Sequence, residues 1–217
     1  LYVSEDVNRR IQLAWQSFNK LEALWKHRDR IAETTRLQSF CALVESVLLF
    51  NCGTWALTGT IADKLDRAHR QMLRRVLGIH WSDRVTNLDL YARCKVLPAS
   101  IQSVNARWRL FGHTLRMKED TPARLAMAYY FVNDHKGRKG NYTTIASKLS
   151  SELKVTTGDI ISSLTLSDLN VVIEVPQDRG LWKDLVRDIT CREYGVWYEK
   201  ELEKAEARRA AKLASQT

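Results

Sequence analysis

Four arginines, Arg67, Arg70, Arg74 and Arg75, lie within nine residues of one another. Guanidinium groups fork onto phosphate oxygens, and helical residues three or four apart lie on one face. That spacing suits successive phosphates of a nucleic acid, contacts that position a protein without reading bases. An exposed face paired with Asp63 and Asp66 is the other reading. Arg84 and Asn87 stand beside Trp81. They could touch backbone or base edges, or Asp83 could pair with Arg84 to fix a turn. Arg107, Arg109, His113 and Arg116 surround Trp108 and Phe111. Cations interleaved with aromatics suit nucleic acid. Aromatics at helical period belong to a core, so Trp108 and Phe111 are placed inside and the cations on the surface. Lys136, Arg138 and Lys139 sit among Gly137 and Gly140. This basic loop could reach phosphates or stay solvated.

Other chemistries lack their residues. The sequence contains no His-Glu-x-x-His, no Gly-x-Ser-x-Gly and no phosphate-binding Gly-x-x-x-x-Gly-Lys-Ser/Thr. No catalytic residue and no cofactor is assigned. The four cysteines, Cys41, Cys52, Cys94 and Cys191, are too far apart for a paired zinc knuckle. His113 could join a distant Cys, but at no recognised spacing, so no metal is expected. Isolated cysteines fit a reducing, intracellular compartment, nucleus or cytoplasm. The most apolar stretch, Ala42 to Ala62, is interrupted by Glu45, Asn51 and two glycines. It reads as a buried helix, and no membrane partner is expected.

Charge concentrates where the arginines lie. The 217 residues carry 34 Lys+Arg and 25 Asp+Glu, a net charge of +9. Residues 61–120 hold 12 basic and 6 acidic side chains, net +6. Such a block attracts polyanions, nucleic acid foremost.

The elements that must position these cations are helical. Only 9 Gly and 3 Pro argue against a sheet-rich fold with many tight turns. Ile11, Trp15, Phe18, Leu21 and Trp25 form one apolar stripe, predicting a helix from Ser4, its cap, to Lys26. A second is predicted from Ala32 to Phe50, with Leu37, Phe40, Cys41, Val44, Val47 and Leu48 inward. Asn51 and Gly53 tolerate the left-handed conformation that ends it. A third runs from Ile61 to Leu77, with Ile61, Leu65, Ala68, Met72 and Val76 inward. Arg67, Arg70 and Arg74 lie opposite, and Gly78 is the stop. Thr86 caps a short helix to Cys94, with Asp89 at the capping-box position. Helices follow from Pro98 to Met117 and from Pro122 to Val132. Beyond a break at 134–144 come helices at 143–154, 159–172 and 178–190. Val171 to Val175 could be a short strand. Tyr194 to Ala214 alternates charges as a solvated helix does.

The stretch Arg74-Arg75-Val76-Leu77-Gly78-Ile79-His80-Trp81-Ser82-Asp83-Arg84-Val85-Thr86-Asn87 resembles a segment just past the thumb of LINE-like (non-LTR) retrotransposon reverse transcriptases. Those proteins typically read Leu-Arg-Arg-Ile-Leu-Gly-Ile, then Trp, then Asp-Arg-Val-Thr-Asn. Upstream, Arg9-Arg10-Ile11, Ala14-Trp15, Phe18, Leu21 and Trp25 resemble the family's first thumb helix. Val47 to Phe50 with Thr54 to Thr58 resemble its Val-Leu-Leu-Tyr-Gly-x-Glu-Thr-Trp-x-Leu-Thr motif. Downstream, Arg107 to Met117 resembles Leu-Arg-Trp-x-Gly-His-Val-x-Arg-Met. Lys136-Gly137-Arg138 is similar to Arg-Gly-Arg-Pro, and Asp178-Arg179 with Trp182 to Asp-Arg-x-x-Trp. The order is kept along nearly the whole chain. Departures are Phe50-Asn51-Cys52-Gly53 for Tyr-Gly-x-Glu, His80 for Arg, Lys139 for Pro and Ile145 for Trp.

The resemblance implies an all-α fold: a small helical thumb bundle, a basic helical extension and a C-terminal helical segment. Residues 1–60 would be the thumb and 61–132 the extension. Residues 133–144 would link to a C-terminal helical region at 145–217. It implies a non-catalytic, nucleic-acid-binding part of an RNA-directed DNA polymerase. The catalytic palm and fingers of the same polyprotein would lie upstream of Leu1, a first residue that is not Met. This chain alone should then not polymerise. The expected partner is template RNA, an RNA–DNA hybrid or target DNA. The alternative is a helical protein-interaction module, a domesticated or decayed remnant.

Overall fold

The computed structural model describes residues 2–132, 143–157 and 177–214. The fold is all-α; no strand occurs among the described residues. Two compact units form. One holds Leu1–Phe50, Gly59–Ser100 and Tyr194–Thr217, the other Asn51–Thr58 and Ile101–Glu193. Each unit gathers segments far apart in sequence, unlike the expected division into consecutive stretches. The predicted helix at 159–172, the strand at 171–175 and the basic loop with Lys136, Arg138 and Lys139 lie outside the described residues.

The first unit begins with α1 (Tyr2–Lys20) and α2 (Glu22–Lys26). The expected single helix is broken at Leu21. The Phe18 carbonyl accepts the Leu21 N–H at 3.1 Å and the Trp25 indole N–H at 2.9 Å, in place of an ordinary helical partner. Phe18 and Trp25 stack at 5.0 Å, and both are buried. Ser4 lies inside α1 and is not its cap. The second predicted helix is also composite: α3 (Glu33–Phe40), a π-helical turn (Cys41–Glu45) and α4 (Ser46–Leu48). A π turn widens the helix locally and shifts the register of the residues beyond it. Phe40, Val44 and Leu48 reach the core, and so does Glu45.

The helix α5 (Gly59–Leu77) packs on α1, α2 and α3. Leu65, Ala68, Met72 and Val76 are buried as the apolar period predicts. Its end is a Schellman motif. Ile79 N–H donates to the Arg74 carbonyl at 2.9 Å and Gly78 N–H to the Arg75 carbonyl at 3.2 Å. Gly78 takes φ +71°, a conformation that glycine adopts without steric cost. The buried Arg36 donates to the Val76 carbonyl at 2.8 Å, so a cation meets the negative end of the helix dipole. A 3₁₀ turn (Trp81–Asp83) leads to α6 (Asn87–Cys94). The predicted capping box is present: Asp89 N–H donates to Thr86 Oγ1 at 3.1 Å, and Thr86 N–H to Asp89 Oδ2 at 3.3 Å.

The second unit is built on α7 (Ala99–Leu115), whose residues from Ile101 onward belong to it, with α8 (Pro122–Val132) and α9 (Ile145–Thr157). The long α10 (Arg179–Ala214) supplies residues 179–193 here and its remainder to the first unit. It is one helix where two segments were expected. Asp178 Oδ1 caps it, accepting from Gly180 N–H at 2.7 Å and Leu181 N–H at 3.1 Å. Val104, Trp108, Phe111 and Leu115 of α7 meet Leu149 and Leu153 of α9 and Trp182, Val186 and Ile189 of α10 in one core. A Cβ on Gly112 would lie 2.1 Å from Trp182 Nε1. The glycine is there because the indole is.

Candidate nucleic-acid interface

The α5 arginines divide by burial. Arg67 and Arg75 are exposed; Arg70 and Arg74 are half-buried. Arg75 lies over the Trp15 ring at 4.8 Å, a cation–π contact that leaves its charge near solvent. Arg74 is engaged inside the unit. Its Nη2 donates to the Val85 carbonyl at 2.9 Å and to Asn87 Oδ1 at 3.2 Å. Burial lowers its pKa, with Arg70 adding to the effect. Asn87 Nδ2 in turn donates to Glu201 Oε2 at 2.7 Å, and Lys204 Nζ to Glu201 Oε1 at 2.8 Å. Burial acts to raise the Glu201 carboxyl, but these hydrogen bonds outweigh it and hold the group below the usual range. Arg70 faces the charges of Asp66 and Glu201 and hydrogen-bonds Tyr91. Arg70, Arg74 and Asn87, expected at an interface, thus knit α5, α6 and α10 together.

Three acids of this segment accept hydrogen bonds, and Asp63 is exposed. Asp66 is buried, where the alternative reading made it a pairing partner for surface arginines. It accepts the Ser100 N–H and hydroxyl, each at 2.8 Å, at the first turn of α7. Burial raises its pKa against the opposing pull of Ser100 and Arg70. Asp83 accepts the His80 N–H at 2.7 Å, and Asp89 serves its capping box. No contact with Asp83 fixes Arg84, which is exposed at φ +52°. Arg93 holds Glu33 through two hydrogen bonds, and these hold the Glu33 carboxyl below its usual range. Lys64, Arg67, Arg75, Arg84 and Lys95 are the exposed cations of residues 61–100 outside that pair.

In the second unit the expectation of four surface cations is corrected. Arg107 is 2% exposed. Its Nε and Nη2 donate to the Trp55 carbonyl at 3.3 and 2.8 Å, and its Nη1 donates to Glu152 Oε1. Trp108 Nε1 donates to the other Glu152 oxygen at 2.8 Å. Burial raises the Glu152 pKa, although Arg107 and Trp108 oppose it. The physical reason is register: Arg107 is next to Trp108, on the inner side of α7, and five donors there need acceptors. Arg109 and His113 are exposed one turn apart, and Arg116 is half-buried. The placement of Trp108 and Phe111 in the core is as expected.

Sequence reasoning missed a buried polar cluster in the first unit. His69 is fully buried, with Nε2 2.8 Å from Glu45 Oε1 and Nδ1 3.3 Å from the Tyr91 hydroxyl. The signal was legible: His69 falls between Ala68 and Met72 on the inner stripe, and Glu45 interrupts an apolar run. Three thiols, Cys41, Cys52 and Cys94, are not poised as nucleophiles. Burial pushes Cys41 up to about 12 and Cys52 and Cys94 up to about 11. Among the described residues no group of three His, Cys, Asp or Glu could hold a metal ion. No helix among them is long and apolar enough to cross a membrane.

The motifs carrying the resemblance have structural duties here. Gly78 ends α5, Thr86 and Asp89 start α6, and Gly112 seats the indole of the Asp178-Arg179-x-x-Trp182 stretch. No protein-family model matches the chain, and no curated protein or solved structure matches it either.

Proposed function

We propose that this chain binds nucleic acid electrostatically, as the C-terminal, thumb-containing part of a LINE-like reverse transcriptase whose palm and fingers lie upstream. Template RNA, an RNA–DNA hybrid or target DNA is the partner. One observation carries the reading. Between residues 61 and 100 the exposed cations Lys64, Arg67, Arg75, Arg84 and Lys95, outside the Arg93–Glu33 pair, outnumber the exposed carboxylates Asp63, Asp83 and Asp89. In the second unit Arg109 is exposed, with His113 one turn along the same helix. Cations of this kind meet phosphates and release counterions, so affinity falls steeply with salt. Filter binding of an RNA–DNA duplex at rising salt tests this. Steep salt dependence, weakened by Arg67→Ala, Arg75→Ala and Arg109→Ala, supports it; a flat response or indifference to all three overturns it.

A helical protein-interaction module is the second reading. It is favoured by Val196, Tyr198 and Leu202, exposed within the first-unit portion of α10. Stable co-purification with a protein and no affinity for any nucleic acid would select it.

A further inference from the structure

Trp81 is 86% exposed, whereas the other six tryptophans are buried or half-buried. An indole left in water forgoes the stabilisation that burial gives the rest. Its position is nevertheless tightly held. His80 N–H donates to Asp83 Oδ2 at 2.7 Å, and Asp83 N–H donates back to the His80 carbonyl at 3.1 Å. The Ser82 hydroxyl donates to Asp83 Oδ1 at 3.4 Å and lies 3.2 Å from His80 Nδ1. Arg84 then takes the left-handed conformation, φ +52° and ψ +28°, costly for a residue with a Cβ. Arg74 holds the next carbonyl, that of Val85, at 2.9 Å, and Thr86 starts α6. The turn is pinned on both sides, and it presents a large aromatic face to solvent.

The surroundings select the occupant. Asp83 turns one carboxylate oxygen to the turn backbone, and the Arg84 guanidinium that follows it is exposed. Arg75 and Lys95 are exposed cations of the same unit. A flat apolar ring on a turn that also carries an exposed guanidinium, in a unit with an excess of exposed cations, matches a nucleobase and its phosphates. A paired base inside a duplex has both faces covered by neighbours, so the ring needs an unpaired one. We propose that Trp81 is a stacking platform for an unpaired base of a single-stranded nucleic acid, with Arg84 on an adjacent phosphate. This rests on the nucleic-acid reading of the chain and adds the strandedness of its ligand. Stacking is sequence-tolerant, because every base has a π face.

The test uses the full chain with a single-stranded RNA oligonucleotide and a blunt duplex of the same sequence, each titrated at several salt concentrations. Trp81→Ala should weaken single-strand binding by roughly 5- to 150-fold. It should leave duplex binding and the salt slope unchanged, because an indole releases no counterion. Trp81→Phe should restore most of the loss. Arg84→Ala should lower the slope magnitude by about 0.7. Circular dichroism should be the same for all variants, since Trp81 supports no core. Salt-dependent wild-type binding that Trp81→Ala leaves untouched, or that it weakens equally on both nucleic acids, overturns the stacking assignment while the broader reading stands. A wild-type chain that binds neither oligonucleotide overturns both.

Discussion

Arg74 donates to Asn87 Oδ1 at 3.2 Å, and Asn87 donates onward to Glu201, 114 residues later in the chain. Two side chains whose types suit nucleic acid are thereby spent on each other and on the last helix. Arg74→Ala should lower stability by about 1–3 kcal/mol, because the Val85 carbonyl and Asn87 lose a partly buried charged donor. Arg67→Ala, at an exposed position on the same helix, should stay within about 0.5 kcal/mol of wild type. Urea titration of the two variants side by side measures the contrast. Equal stabilities would mean that the network contributes nothing.

Glu152 gathers both Arg107 and the Trp108 indole in the buried interior of the second unit. Removing one partner of a buried ion pair strands the other. Glu152→Ala should therefore cost about 3–5 kcal/mol, and the double change Arg107→Met, Glu152→Met should recover much of that loss. Thermal melts of the single and double variants supply the check. A double variant as unstable as the single one would point to the Trp55 carbonyl as the partner that matters most.

Gly112→Ala would drive a methyl group into the Trp182 ring, which its own hydrogen bond to the Trp108 carbonyl holds at 3.2 Å. The expected cost is about 1–3 kcal/mol, as for other overpacked cores. Trp182→Phe should make the alanine better tolerated, a coupling that a double-mutant cycle in guanidinium reads directly.

Asp66 gives a pH signature of known sign. Its folded pKa is raised from 3.8 by burial, so the native state holds its proton to higher pH than the unfolded chain does. Stability from this group is greatest at low pH and declines as pH rises from about 3.8 through the folded value. Asp66→Asn removes that titration while keeping an acceptor for the Ser100 N–H. The stability of wild type relative to Asp66→Asn should therefore fall with rising pH across that window, measured by denaturant unfolding at fixed ionic strength. A difference that grows with pH would reverse the assignment.

The features that the sequence determined by itself are local ones. Thr86 and Asp89 are three residues apart, and a capping box needs nothing else. Gly78 follows an apolar period and ends α5 because only nearby carbonyls are involved. The inward stripes Leu65–Ala68–Met72–Val76 and Val104–Trp108–Phe111–Leu115 follow from helical repeat alone, and they set the all-α class. The tertiary structure alone decided which cations remain at the surface. Arg107 and Arg109 are alike in sequence, yet one is buried against Glu152 and Trp55, 45 and 52 residues away, and the other is exposed. Arg67 and Arg74 share the outer side of α5, but only the second meets the Val85 carbonyl and Asn87. Helical period places a side chain on a face; it does not say which distant segment will pack there with an acceptor. A guanidinium therefore joins the interior or the solvent according to the long-range partner, which no local spacing encodes.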